Sequence, residues 1–258
     1  MFSGIQQVFE FREFFAQTVL QQLKARYRSS VLGFLWTLLN PMLVFLTLSI
    51  IFSYINHWDL KTFGVYFFSG YVPWTFFNSV TNSAANAIVS NGLYVTRIYV
   101  PRLVFPLSVV ALNAVDFGVG LVILFAMALI LGTPLTASCL MFPLGVILLV
   151  AFVMGLSMLF AATGVFLRDF QFLWGNLTFL LFFLSPILYP LERVSPGVRQ
   201  YFVLNPMLPF LRLFQEPIAL GHAPSFDTIV RAIVLAAASL AFGYSAFVRT
   251  ERRFYLYL

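Results

Sequence analysis

The sequence predicts an all-α integral membrane protein: six transmembrane helices, an N-terminal amphipathic interface helix, and re-entrant helices on the outer side between spans five and six. Three observations predict it. Of 258 residues, 61% are hydrophobic and 9% charged, where a soluble domain carries about a quarter charged residues. Apolar stretches of about twenty residues, the length that crosses the hydrocarbon core, recur along the chain. The basic residues gather at alternate ends of those stretches, as the positive-inside bias requires. The whole chain, 1–258, reads as one membrane domain.

Residues 5–28 form the interface helix. Phe11, Phe15, Val19, Leu23 and Tyr27 recur every four residues, with Ile5 and Val8 extending the stripe. Glu10, Glu13, Gln17, Gln21, Lys24 and Arg28 occupy the other faces. That period places a helix in the plane of the interface with its aromatic side among the headgroups. A soluble helix packed on a partner would show the same pattern. Lys24, Arg26 and Arg28 lead through Ser29-Ser30 into the first span, about 32–55, which Asn40-Pro41 interrupts. A proline there frees backbone carbonyls that neighbouring helices or water must satisfy.

A polar turn around Asn56-His57-Trp58-Asp59 precedes span two, about 63–89. Its first half is aromatic, and its second carries Asn78, Ser79, Thr81, Asn82, Ser83 and Asn86. Lipid disfavours so many polar groups, so that half is expected to face protein or a water-filled cavity. The loop 91–102 follows, holding Arg97 and Arg102 and no acid. Spans three, four and five cover about 105–131, 138–166 and 171–189, the last stopped by Ser185-Pro186 and Pro190.

Residues 191–225 decide the topology. The stretch 201–220 is apolar, but Pro206, Pro209 and Pro217 interrupt it, and Arg212 and Glu216 sit inside it, four apart as a helical ion pair would be. It is expected to enter without crossing; a surface loop with interfacial aromatics is the plainer reading. Span six covers about 227–248 and ends in Arg249, Arg252 and Arg253. Counting 201–220 as a crossing would put that basic end outside, against the bias.

The residues exclude several chemistries. A phosphate-cradling loop needs glycines leading into Lys-Ser/Thr, and Lys24 and Lys61 both follow leucine. No removable signal segment is expected at the N-terminus. His57 and His222 fall in external loops without ligand spacing, so neither metal nor catalysis is assigned. The net charge of +6 suits basic flanks on anionic lipid rather than nucleic acid. Asp116 is the one acid well inside a span, with Asn113 a turn away. A structural hydrogen bond fits it better than a proton relay, since no second carboxylate or histidine shares the spans. On charge alone, 91–102 is either an ordinary cytoplasmic loop or a docking helix presenting Tyr94, Ile98 and Tyr99 beside its arginines.

Three blocks then carry a resemblance: KARYRSSVLGFLWTLLNPM, SNGLYVTRIYVPRLVFPLS, and RDFQFLWGNLTFLLFFLSPILYPLERV followed by YFVLNPMLPFLRLFQEP. Together they resemble the permease subunit of ABC-2 type polysaccharide exporters, the O-antigen, capsule and teichoic-acid transporters, over nearly the whole chain. The first and last blocks look closer to the O-antigen and teichoic-acid branches. The resemblance implies a homodimer in the bacterial inner membrane with both termini cytoplasmic, bound to two copies of a separate ABC ATPase. That partner would hold ATP and Mg, leaving this chain no cofactor. The cargo implied is a glycan on a polyprenyl lipid, exported to the periplasm; a small lipid or drug is the alternative within the class.

By the same resemblance, Tyr94, Arg97, Ile98, Tyr99 and Arg102 form the ATPase-coupling element. Lys24, Arg26, Arg28, Asn40 and Pro41 form the interface helix and hinge. The segment 191–225, with Pro206, Pro209, Arg212 and Glu216, becomes a periplasmic gate. Sugar rings can lie on aromatic faces, and Trp36, Tyr66, Tyr71, Trp74 and Trp174 are expected along the path. Tryptophan and tyrosine also mark membrane interfaces without any such role.

Overall fold

A computed structural model describes residues 8–28, 35–56, 60–97 and 100–258, and among these the regular structure is helical, with no strand. The first turn of the expected interface helix (with Ile5), the Ser29-Ser30 hinge, the turn at His57, and Ile98 and Tyr99 lie outside the described residues.

Helix α1, Arg12–Arg28, has Glu13 in its first turn and Arg26 and Arg28 in its last, charges that suit the helix dipole. Phe11, Phe15, Val19 and Leu23 are half-buried, while Glu13, Gln17, Gln21 and Lys24 are exposed. The four-residue stripe therefore faces the protein. Helix α2, Leu35–Asn56, carries Pro41 inside it.

Helix α3, Leu60–Ala84, ends five residues before the expected limit of span two at residue 89. Beyond Ala84 the backbone tightens: Asn86 and Ala87 donate to Ser83 and Ala84, three residues back. The side chains of Ser90 and Asn91 then take the carbonyls of Asn86 and Ala87, both at 2.8 Å. Such local side-chain bonds offer the backbone an alternative to the helix. A 3-10 turn, Val89–Asn91, leads into the short helix α4, Gly92–Arg97.

Helix α5, Val104–Ile130, gives way to Gly132, whose φ of 72° only glycine adopts without strain. A 3-10 turn, Ala137–Met141, enters α6, Phe142–Phe166. Helix α7, Phe170–Phe183, has 14 residues, fewer than the expected 171–189. At 1.5 Å per residue it reaches only about 21 Å, short of the hydrocarbon core by itself. It ends where Ser185-Pro186 bends the chain.

Next come a 3-10 turn at Leu191–Arg193, helices α8, Pro196–Phe202, and α9, Leu208–Gln215, and a π turn, Glu216–Leu220. Gly221, at φ 73°, closes it with its N–H on the Glu216 carbonyl. Eight-residue α9 is too short to cross. Phe210, Leu211, Leu213 and Phe214 are fully enclosed, so this is no surface loop. Helix α10, Phe226–Thr250, starts at a Ser225 cap whose hydroxyl accepts the Thr228 N–H. The 3-10 turn Glu251–Leu256 follows.

Three stretches among the described residues are long and apolar enough to cross a membrane: Val104–Ile130, Ala137–Phe166 and Phe226–Leu256. Leu39–Leu48 and Phe170–Phe183 are shorter apolar helices. Helix α3 has the length, but its tyrosines, tryptophan and amides lower its hydropathy. The chain is a multi-pass membrane protein.

The core lies between α3, α5, α6, α9 and α10. Phe210 of α9 stacks on Phe152 of α6 at 4.6 Å, and Phe214 meets Phe142 edge-on at 5.2 Å. Phe76 of α3 stacks on Phe117 of α5 at 4.6 Å. Helices α6 and α10 touch through backbone: a Cβ at Gly243 would fall on the Gly155 carbonyl, and one at Gly155 on Ser239. Ser239 completes the contact by donating to the Phe152 carbonyl at 2.7 Å.

Candidate functional site

Two cavities flank α3, and the spacing of its residues explains why. Tyr71, Thr75 and Ser79, one turn apart, face a cavity of about 360 Å³ between α1, α2, α3 and α5. Tyr71, Trp74, Asn78 and Asn82 face another, of about 480 Å³, between α3 and α7. The polar second half of α3 thus lies against hollow space. On the α5 side Gly120 lets that helix pack closely on α3, where a Cβ would meet Val72 at 2.9 Å.

The first cavity brings together residues that the sequence offered separately. Its lining includes Arg26 of α1, Trp36, Asn40 and Pro41 of α2, Tyr71 of α3, and Asn113 and Asp116 of α5. The Arg26 guanidinium pairs with Asp116 at 2.5 Å and donates a second bond to the Asn113 side-chain oxygen at 3.3 Å. Asn113 is itself fixed by donating to the Val109 carbonyl at 2.8 Å. The sequence pointed to Asn113 as the neighbour of Asp116 and missed Arg26, which stands 90 positions away. The signal that could have found it is the rule that an acid within a span needs a partner, applied to the nearest basic cluster. Thr75 and Ser79 also join the lining without having been singled out as site residues.

The second cavity holds Tyr71 and Trp74, with Trp74 tilted against Phe182 at 5.7 Å. The Asn82 amide donates to Asn78, through both its backbone and side-chain oxygens, and reaches Thr178 of α7 at 3.4 Å. Two of the five expected path aromatics stand apart from both cavities. Tyr66 is buried and donates to the carbonyls of Pro186 at 2.9 Å and Tyr189 at 3.3 Å. Trp174 packs on Phe160 at 4.5 Å in the core, its ring N–H buried without a partner. Core packing won over exposure at both positions.

At the α4 end, Tyr94 is half-exposed and meets Phe14 of α1 edge-on at 6.5 Å. Arg102 donates to the Glu251 carbonyl, so the chain's own C-terminal turn holds a charge that had been expected to await a partner. Ile98, Tyr99 and the Arg97 side chain lie outside the described residues. Lys24 and Arg28 are exposed at the end of α1.

In the re-entrant segment, Pro206 is half-buried and Pro209 starts α9. The Gln215 amide donates to the Pro186 carbonyl at 2.7 Å, the acceptor it shares with Tyr66. Asn205 donates to the Leu184 carbonyl and the Ser185 hydroxyl. These bonds seat the segment on the break after α7. Arg212 stands 3.9 Å from Glu216. Burial pushes the Glu216 carboxyl above its usual range, with Arg212 and His222 opposing.

The sequence model of the family described as ABC-2 type transporter matches residues 14–218. The O-antigen export system permease protein RfbA of Myxococcus xanthus is 30% identical over 244 residues, spanning 94% of this chain and 93% of that protein. A protein of the same description from Klebsiella pneumoniae is 28% identical over 188 residues, 72% of this chain and 73% of that protein. The polysialic acid transport protein KpsM of Escherichia coli is 26% identical over 215 residues, 79% and 80% of the two chains.

Proposed function

The chain belongs to the ABC-2 type transporter family, and from that premise we propose that it is the permease subunit of an exporter that moves lipid-linked polysaccharide, of O-antigen type, from cytoplasm to periplasm. It is a transport subunit and not a catalytic domain. The observation that carries the substrate is the near full-length similarity to an O-antigen export permease. The polar and aromatic lining beside α3 supports it, because a hydroxylated cargo needs such groups inside a membrane protein.

In this reading the described helices build six spans, with α7 and the bend after it completing the fifth. Both termini are cytoplasmic in a bacterial inner membrane. Two copies of the chain assemble with two ATPase subunits, which bind ATP and Mg. Helix α4, with Tyr94 and Arg97, is the docking element. The segment from Leu191 to Leu220 is the periplasmic gate, and Trp36, Tyr71 and Trp74 line the path.

Deletion of the gene tests the cargo: a lipid-linked O-antigen glycan should accumulate on the cytoplasmic leaflet, read by extraction and mass analysis. Accumulation of a capsule or teichoic-acid precursor would reassign the branch, and accumulation of no glycan would remove the reading. Replacing Arg97 with glutamate should leave insertion intact and lower export per ATP hydrolysed by about tenfold, as expected for an interfacial charge reversal that costs about 1.4 kcal/mol. Unchanged coupling in that variant would remove α4 as the docking element.

A further inference from the structure

We propose that the Arg26–Asp116 pair is a latch that positions α1 against α5 and parts during the transport cycle; this rests on the exporter reading above. Three observations carry it. The acceptor side is deeply seated and the donor side is not: Asn113 is buried and bonded within α5, whereas no α1 residue whose side chain is described is fully buried. Arg26 thus joins a shallowly seated helix to a deeply seated one.

The pair also sits where it can open. Its side chains are 34% and 30% exposed and stand at the wall of the 360 Å³ cavity. An ion pair sealed in a core leaves two unsolvated charges when it breaks, which opposes breakage strongly. Here Asn40, Thr75 and Ser79 line the same space, and the parted groups have polar neighbours and room for water.

Finally, α1 connects the latch to the proposed docking element. Phe14 touches Tyr94 of α4, and Arg26 lies twelve residues further on, about 18 Å along a helix. A partner that displaces α4 therefore acts on one end of a stiff rod whose other end carries the guanidinium. Arg26 and Asp116 are positioning residues: they touch no cargo in this account and act by setting where α1 lies.

The test uses the complete complex with its ATPase in lipid discs. Spin labels replace the exposed Lys24 and Val122 in a Cys139→Ser background, leaving the pair intact. The distance between them is measured without nucleotide and after trapping with ATP and vanadate. The latch predicts that trapping lengthens it by about 5 Å, the scale of a one-turn helix shift. It also predicts that Asp116→Asn shows the longer distance without nucleotide and exports at least threefold less glycan per ATP hydrolysed. A distance that trapping leaves unchanged overturns the proposal. So does a change on trapping that Asp116→Asn fails to reproduce at rest, since the pair would then be a static brace. Failure of the exporter reading is separate: the unlabelled parent complex would move no glycan, whatever the distances show.

Discussion

Helices α6 and α7 are neighbours in sequence and both are apolar, yet the protein treats them in opposite ways. Helix α6 buries glycines 145, 155 and 164 together with Ser157, Phe152 and Phe160. Helix α7 buries Thr178 alone, while Phe172, Leu173, Phe179 and Leu180 point outward. In water such exposure would be a defect. In hydrocarbon it costs nothing, because lipid tails are as apolar as the side chains they replace. What sets α6 apart from α7 is close backbone approach and hydrogen bonding beside its buried rings: Gly155 lets α10 approach, Gly164 lies on the Ala85 carbonyl, and Ser157 donates to the Pro106 carbonyl at 2.9 Å.

The largest expected effect strikes that contact. Gly155→Leu or Gly243→Val would drive a side chain into backbone that cannot yield, at about 3 kcal/mol or more. The outcome is loss of monodisperse protein on size-exclusion chromatography in detergent. Gly118→Ala is the control, since a methyl there meets nothing within 4 Å. If the two classes behave alike, close backbone approach is not what holds the inner region.

The next effect separates seating from filling in the re-entrant segment. The Pro186 carbonyl accepts from both Tyr66 and Gln215. Tyr66→Phe alone should cost about 1 kcal/mol, because the second donor remains. Tyr66→Phe with Gln215→Leu should cost about 2–3 kcal/mol, more than the sum, because a buried carbonyl is left without a partner. Thermal unfolding in detergent reads the difference; strict additivity would mean that the two donors do not share one acceptor.

These examples show what the sequence could and could not disclose. Prolines 206, 209 and 217 and the charges at 212 and 216, with the positive-inside bias, were enough to stop residues 201–220 from being counted as a span. Period four was enough to find the stripe of α1, which the sequence set among the headgroups and the structure half-buries. The end of α3 at Ala84 was hidden because the side-chain bonds of Ser90 and Asn91 look, in a sequence, like ordinary polarity. The partner of Asp116 was hidden because the pairing is long-range and no periodicity reaches across 90 positions. Tyr66 and Trp174 stand apart from the two cavities for a related reason: aromatic residues serve core and path alike, and a sequence does not say which.

A smaller effect should appear with pH. The folded Glu216 carboxyl holds its proton to higher pH than the unfolded one, because burial outweighs Arg212 and His222. Between the two values the native state binds more protons, so stability falls as pH rises through the window from the usual carboxylate range to the raised folded value. Below that window this penalty is absent. Glu216→Gln should flatten the slope and change neutral-pH stability by less than about 1 kcal/mol, since the 3.9 Å contact to Arg212 is long. Melting curves from pH 4 to 8 check it; a slope of opposite sign would mean that Arg212 dominates.

The smallest effect is the most discriminating for the path. Trp174 presses on Phe77, Phe160 and Phe170 with its N–H buried and unpaired. Trp174→Phe removes that donor and keeps most of the ring, so lost packing and relieved desolvation oppose each other and the net change should stay within about 1 kcal/mol. Export should be unchanged. Tyr71 stands instead on both cavities, and Tyr71→Ala should lower export at least threefold with little change in yield. Should Trp174→Phe impair export as much as Tyr71→Ala, the cargo must pass the side of α7 that now packs against the core, and the division between a fixed interior and a permissive periphery would have to be redrawn along α7.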